Sequence, residues 1–165
     1  MDKKRSGTSF AQRRHLRRLE QITRDGPVVF FLTACVQGRE PVLTSLAAAR
    51  VLVEAWSQAE PQHGWLVGRY VIMPDHVHFF ASPVNADVKD LSQFMRAWKW
   101  STARRLRRAG HDAFRWQREF FGHLLRSTES YAEKWEYVRQ NPVRANLVAR
   151  PEQWPYQGEA NVLKV

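Results

Sequence analysis

The 165-residue chain has one cysteine, Cys35. That excludes an internal disulfide and any multi-cysteine zinc site, so the sequence reads as intracellular, with Cys35 expected to pack in a core. No apolar run approaches the roughly 20 residues that span a bilayer. The N-terminal "MDKKRSGTSF" is basic, with no apolar signal core behind it, and a cytoplasmic protein is expected. There is no glycine-rich phosphate loop, no nucleophile-elbow serine and no paired-carboxylate signature, so nucleotide use is unsupported. Acidic residues are also scarce. Lys and Arg outnumber Asp and Glu by 26 to 16, giving a net charge of +10 and a pI near 10.5. Such asymmetry favours a polyanionic partner, nucleic acid first and an anionic membrane surface second. The membrane is the weaker reading, because the basic helices have no separate exposed apolar face.

What is present suits one folded unit. Apolar content is 44% and charged content 25%, as in ordinary globular chains. No internal repeat or linker interrupts it, and we divide it into a basic arm (1–27), a domain (28–150) and a tail (151–165). The arm carries Arg14, Arg17 and Arg18 and reads either as a solvated extension or as a phosphate-binding segment. The β-branched and aromatic run "VVFFLTACV" predicts a strand over 28–36. "TSLAAARVLVEAW" predicts a helix capped by Thr44 or Ser45, with Leu46, Ala49, Val53 and Trp56 on its apolar face. "WLVGRYVIM" and "HVHFFAS" predict two strands joined tightly at Pro74 and Asp75. A helix over 88–110 has an apolar stripe of Leu91, Phe94, Met95, Trp98, Thr102 and Leu106 and a basic opposite face. "FRWQREFFGHLLRS" predicts a loop and a short strand. The last helix is capped by Ser130, paired with Glu133, or by Ser127 or Thr128, and ends near Asn141 because Pro142 follows. This order predicts an α+β fold, a ferredoxin-like antiparallel sheet with helices packed on one face plus a C-terminal helix.

Candidate chemistry begins with "MPDHVHFF". Side chains alternate along a strand, so His76 and His78 share one face while Val77 and Phe79 take the other. Two adjacent imidazoles suit a divalent cation, but they also suit a half-exposed polar face. Asp75, beside His76, either orients a ring or interacts with the ion, or simply occupies a hairpin turn. Tyr137 and Asn141, four residues apart, share a helical face beside the stripe of Tyr131, Trp135 and Val138. By spacing alone they are equally an interfacial phenol and a helix-terminal amide. Arg96, Lys99, Arg104, Arg107 and Arg108 form the basic helix face, followed by Arg115, Arg118, His123 and Arg126. His123 either contacts a nucleic-acid backbone or packs beside Phe120 and Phe121. Of the tryptophans, Trp98, Trp100 and Trp116 are candidates for base stacking or for the core, and Trp98 lies within the apolar stripe.

"MPDHVHFF", "RWQREFFGHLLRS", "YVRQNPVRANLV" and "QWPY", in this order and approximate spacing, resemble the REP-associated tyrosine transposases of the HUH single-tyrosine superfamily. The likeness runs from about Val28 to Tyr156. It implies that His76, His78 and Asn141 hold Mg²⁺ or Mn²⁺ and that Tyr137 is the nucleophile. The implied activity is an endonuclease and strand transferase that cuts and rejoins single-stranded DNA at REP-like hairpins through a covalent 5′-phosphotyrosine. The resemblance also implies DNA transposition or recombination, a monomer with Tyr137 acting in cis, and a bacterial nucleoid setting. The alternative is a hairpin-binding protein on the same fold without catalysis; a hydrolase using water in place of Tyr137 is a third reading.

Overall fold

The computed structural model describes residues 28–164 except 86, 89, 126 and 127. The arm, with Arg14, Arg17 and Arg18, and Arg126 lie outside the described residues. Strand β1 (Val29–Cys35) leads into helix α1 (Leu46–Ser57) and the short α2 (Ala59–His63). Strands β2 (Trp65–Met73) and β3 (His76–Pro83) form a hairpin. Helix α3 (Leu91–Arg108) and strand β4 (Phe121–Leu125) follow, then α4 (Thr128–Arg139), α5 (Asn141–Arg144) and β5 (Gln157–Glu159). The sheet has five antiparallel strands in the order β4-β1-β3-β2-β5. The β4-β1-β3-β2 portion is the ferredoxin-like arrangement that the element order predicts.

Strand β1 is apolar at each position from Val29 to Leu32 because both sheet faces are covered there. Phe30, Leu32 and Ala34 join Val77, Phe79 and Ala81 in one core, under α1 and α3. Val29 and Phe31 join Val71, Met73 and Phe80 in a second core, under Tyr131 and Val138 of α4. The expected stripe of α3 is buried in full, and Asp90 caps the helix by accepting from the Gln93 amide at 2.8 Å. Within that core, Thr102 donates to the Trp98 carbonyl and accepts from Trp116 Nε1, so its hydroxyl is satisfied.

Four expectations change. Helix α1 is capped by Ser45, but it buries Ala48, Leu52 and Trp56 and leaves Leu46 74% exposed. The Trp56 ring sets this rotation by stacking on Trp98 at 5.9 Å and packing against Tyr70 and Phe79. Helix α4 starts at Thr128, so Ser130 lies inside its first turn and is not its cap. The proline effect appears as predicted: α4 ends at Arg139, and a new turn, α5, begins at Asn141 with Pro142 in its first turn. The segment after residue 150 is part of the domain and not a tail. Its β5 pairs with β2, Trp154 Nε1 donates to the Ile72 carbonyl, and Leu163 is buried against Gly68. Cys35 is only partly buried, its Sγ accepting from Arg39. No helix among the described residues is long and apolar enough to cross a membrane.

Candidate functional site

The alternation that buries Val77 and Phe79 sends His76 and His78 to the second face, where β1 places Cys35 beside His76 and Thr33 beside His78. The two rings stand nearly perpendicular with centroids 4.7 Å apart, and their Nε2 atoms are 3.1 Å apart. Each Nδ1 has its own partner. His76 Nδ1 donates to Asp75 Oδ1 at 2.6 Å, since a carboxylate can only accept. His78 Nδ1 lies 2.8 Å from the Thr33 hydroxyl, which can donate or accept. Asp75 is itself held by Arg39, whose Nε reaches Oδ2 at 2.7 Å. Arg39 has a left-handed backbone (φ 60°) directly after Gly38 (φ 69°), a conformation that costs a side-chain-bearing residue about 1 kcal/mol. The contacts to Asp75 and Cys35 offset that cost.

Electrostatics keep both rings neutral. Burial, then repulsion from any proton on His76, and then the positive fields of Lys134, Arg39 and Arg144 push His78 down to about 3. Burial also lowers His76, with Asp75 pulling back upward and Arg39 adding to the fall. Neutral imidazole is the ligating form. The bare Nε2 of His76 faces its neighbour. If Thr33 donates, His78 Nε2–H closes a ring-to-ring hydrogen bond; if Thr33 accepts, two nitrogen lone pairs converge. Nitrogens each ~2.1 Å from one octahedral ion stand ~3.0 Å apart, so the converging pair fits two adjacent ligand positions. Hydrogen bonds at the distal ring nitrogens are the usual support of such ligands. Among the described residues no group of three or more His, Cys, Asp and Glu side chains could hold an ion.

Helix α4 covers this same face. Phe31 stacks on His78 with centroids 5.5 Å apart, Lys134 Nζ sits 4.6 Å above the Phe31 ring, and the same ammonium is 5.3 Å from the Tyr137 ring. Tyr137 is 60% exposed, and Arg144 lies 4.2 Å from its ring centre. The Arg144 guanidinium also holds the Asn141 amide oxygen and the Tyr137 carbonyl. The fold therefore brings the His pair and Tyr137 to one face, while Asn141 is engaged with Arg144. Lys134 and Arg144 are the cations that residue-by-residue reading missed; their spacings of three and seven from Tyr137 on a helical path were the available signal.

The predicted basic residues divide. Arg96, Lys99, Arg107, Arg115 and Arg118 line one groove of about 740 Å³ between α3 and the segment before β4. Lys99 is not a free cation there: its ammonium donates to the carbonyls of Gln117, Arg118 and Glu119 at 3.0, 2.8 and 3.4 Å. Arg104 lies over the Trp100 ring, and Arg108 is exposed. Trp98 and Trp116 are buried in the core, whereas Trp100 is 64% exposed. His123 is exposed on the edge strand β4 opposite Phe31, so it faces the second side of the sheet with the His pair.

A ferredoxin-like sheet that presents a histidine–hydrophobe–histidine pair on a central strand, covered by a helix bearing a tyrosine on the same face, is the architecture of an HUH single-tyrosine domain. The chain belongs to the IS200-like transposase family, whose model matches residues 29–141. It is 30% identical over 94 residues to a Haemophilus influenzae protein that carries the name REP-associated tyrosine transposase, covering 53% of that protein's length. The chain thus spans about half of this curated relative. Its fold is similar to that of a REP-associated tyrosine transposase solved bound to a REP hairpin, with a TM-score of 0.67, 23% identity, and coverage of 91% of this chain and 82% of that one. A Deinococcus radiodurans protein described as a transposase also matches, with a TM-score of 0.53, 20% identity, and 70% and 91% covered.

Proposed function

We propose that this protein cuts and rejoins single-stranded DNA at the foot of REP-like hairpins, using Tyr137 as nucleophile and a divalent cation held by His76, His78 and Asn141. The observation that carries the reading is the pair of Nε2 atoms 3.1 Å apart, each ring supported at Nδ1, on the sheet face that α4 covers with Tyr137. The named relative and the hairpin-bound neighbour supply the substrate class. Mg²⁺ or Mn²⁺ suits this mixed nitrogen and oxygen donor set, and when bound it draws charge from a non-bridging phosphate oxygen. Asn141 takes part by giving up its contact with Arg144.

The remaining work falls to side chains of this chain. Arg39 fixes Asp75, which holds His76 with its proton on Nδ1. Thr33 rotates to accept from His78. Lys134 and Arg144 flank the phenol and receive the non-bridging oxygens of the phosphate. The Tyr137 hydroxyl gives its proton to water as its oxygen attacks phosphorus, the bond from phosphorus to the 3′ oxygen breaks, and that oxygen takes a proton from water and leaves as a free 3′-hydroxyl. The 5′ side stays attached to tyrosine, and attack by a 3′-hydroxyl reverses the step without ATP. The link from Lys134 through Phe31 to the same chain's sheet supports action in cis by a monomer.

With Mn²⁺ and a REP-like hairpin oligonucleotide, the full chain should form a denaturant-resistant adduct. Tyr137→Phe should abolish it while hairpin binding survives; an adduct that persists in this variant removes Tyr137 as nucleophile. A second reading, a hairpin binder without catalysis, is favoured by the engagement of Asn141 with Arg144. It predicts no cleavage of any hairpin tried and binding that ignores chelator.

A further inference from the structure

Helix α5 is a single turn, Asn141–Arg144, and the polar residues at its two ends are three positions apart, which sets their side chains on one face. Its backbone is pinned. Pro142 is buried, the Arg144 amide donates to the Gln140 carbonyl, and the Ala145 amide donates to the Asn141 carbonyl, both at 2.9 Å. The Arg144 side chain, in contrast, is exposed and can move without disturbing the turn. Its present contacts are all to uncharged groups. The guanidinium donates to the Asn141 amide oxygen and the Tyr137 carbonyl and lies 4.2 Å from the Tyr137 ring centre. Arg39, Arg69, Arg105 and Arg139 each pair with a carboxylate, whereas Arg144 pairs with none among the described residues. One nitrogen, Nη2, makes both of its hydrogen bonds. The other donors of the planar fork are therefore open to an anion before either bond breaks.

Charge decides which partner wins. A phosphodiester oxygen carries the negative charge that an amide and a backbone carbonyl lack, and a guanidinium–phosphate pair, charged on both sides and bidentate, is the stronger contact. The oxygen that Arg144 holds is also the atom an ion would take, because the amide nitrogen of Asn141 is a donor with nothing to offer a cation. A divalent ion and a guanidinium on one oxygen repel each other, so Asn141 serves one or the other. Lys134 differs in this respect. It flanks the phenol as well, but its ammonium lies over the Phe31 and Tyr137 rings, and among the described residues no hydrogen bond joins it to Asn141.

We propose that Arg144 is a latch on the third metal ligand: without DNA it withholds the Asn141 oxygen, and the scissile phosphate draws the guanidinium away and releases that oxygen to the ion. This rests on the metal-dependent reading above and gives it an order of events, phosphate before cation. Mn²⁺ titrations of the full chain without DNA, in phosphate-free buffer and followed by electron paramagnetic resonance, read the latch. Arg144→Met keeps the stem beside the Tyr137 ring and removes the donor. Lys134→Met removes an equal charge from the same phenol and leaves Asn141 held. Arg144→Met should bind Mn²⁺ at least about tenfold more tightly than the parent, and at least about threefold more tightly than Lys134→Met. With Asn141→Ala added to both variants, their affinities should agree within about twofold, because no amide oxygen is left to release. Equal gains in the two single variants overturn the proposal, as does an Arg144→Met advantage that survives Asn141→Ala, or an absence of Mn²⁺ binding throughout. The Tyr137 adduct is scored separately. An adduct with equal gains removes the latch and keeps the nucleophile; the expected affinities without an adduct keep the latch and remove the nucleophile.

Discussion

Replacing Lys99 by methionine isolates what its ammonium does, because the new side chain keeps the length and the apolar stem that lie near Phe120. Two of the three carbonyl contacts, at 2.8 and 3.0 Å, have full hydrogen-bond geometry, and the third, at 3.4 Å, is marginal. Hydrogen bonds to a charged group contribute about 1.5–3 kcal/mol each, so two good ones give a gross ~3–6 kcal/mol. Half-burial of the ammonium, which lowers the Lys99 pKa, opposes this, and the freed carbonyls regain water because the segment is exposed. The net loss should be about 2–3 kcal/mol. Urea unfolding at pH 7 measures it, with Arg96→Met as the control: one turn away on the same helix, exposed and unpaired among the described residues, it should cost under about 0.5 kcal/mol. Equal midpoints and slopes for the two variants would refute the clamp and return Lys99 to the set of free cations.

Further tests address the His face. In chelator, the unfolded chain binds more protons at His78 than the folded one below its ordinary value of 6.5, so stability must fall as the pH drops from 6.5 towards 3. From pH 7 to pH 5 the parent should lose about 2 kcal/mol that His78→Gln does not lose; parallel curves would show that His78 is not held neutral by burial. Asp75→Ala, which frees the His76 ring, should weaken Mn²⁺ binding about 10- to 100-fold in titrations followed by electron paramagnetic resonance, and an unchanged affinity would sever Asp75 from the site. The proposed ligands include no carboxylate, and Arg39, Lys134 and Arg144 all raise the local positive potential. Mn²⁺ should therefore bind at least about tenfold more tightly when a phosphodiester is present, and tight binding to the protein alone would contradict this balance.

Periodicity made much of this legible. Strand alternation placed His76 and His78 on one face, and helical spacing found the whole buried stripe of α3, because each rule depends only on backbone geometry. Rotation of α1 was harder, since one large ring, Trp56, outweighed the count of apolar positions. Of the support around the imidazoles, Asp75 was offered by its place next to His76, but the rest was not legible. Thr33 and Arg39 reach His78 and His76 across 45 and 37 positions, and only the pairing of β1 with β3 joins them. Lys99 misled for a related reason: a cation on a polar helix face looks free until a distant loop supplies its acceptors. Strand β5 leaves no mark in the sequence because its three residues carry no alternation of their own.

Helix α4 carries Tyr137, the nucleophile proposed above, yet it also roofs the second core, burying Tyr131 and Val138 over Phe80 and its neighbours. A descendant of this protein cannot shed the helix without exposing that apolar floor, and deletion would be selected against as misfolding. Tyr137 itself is largely exposed, and loss of its hydroxyl should change stability by no more than about 0.5 kcal/mol. Under the proposed function, retirement from cutting to mere DNA occupancy is therefore one structurally neutral substitution away, and homologues that keep the helix but lack the tyrosine are the remnants to look for.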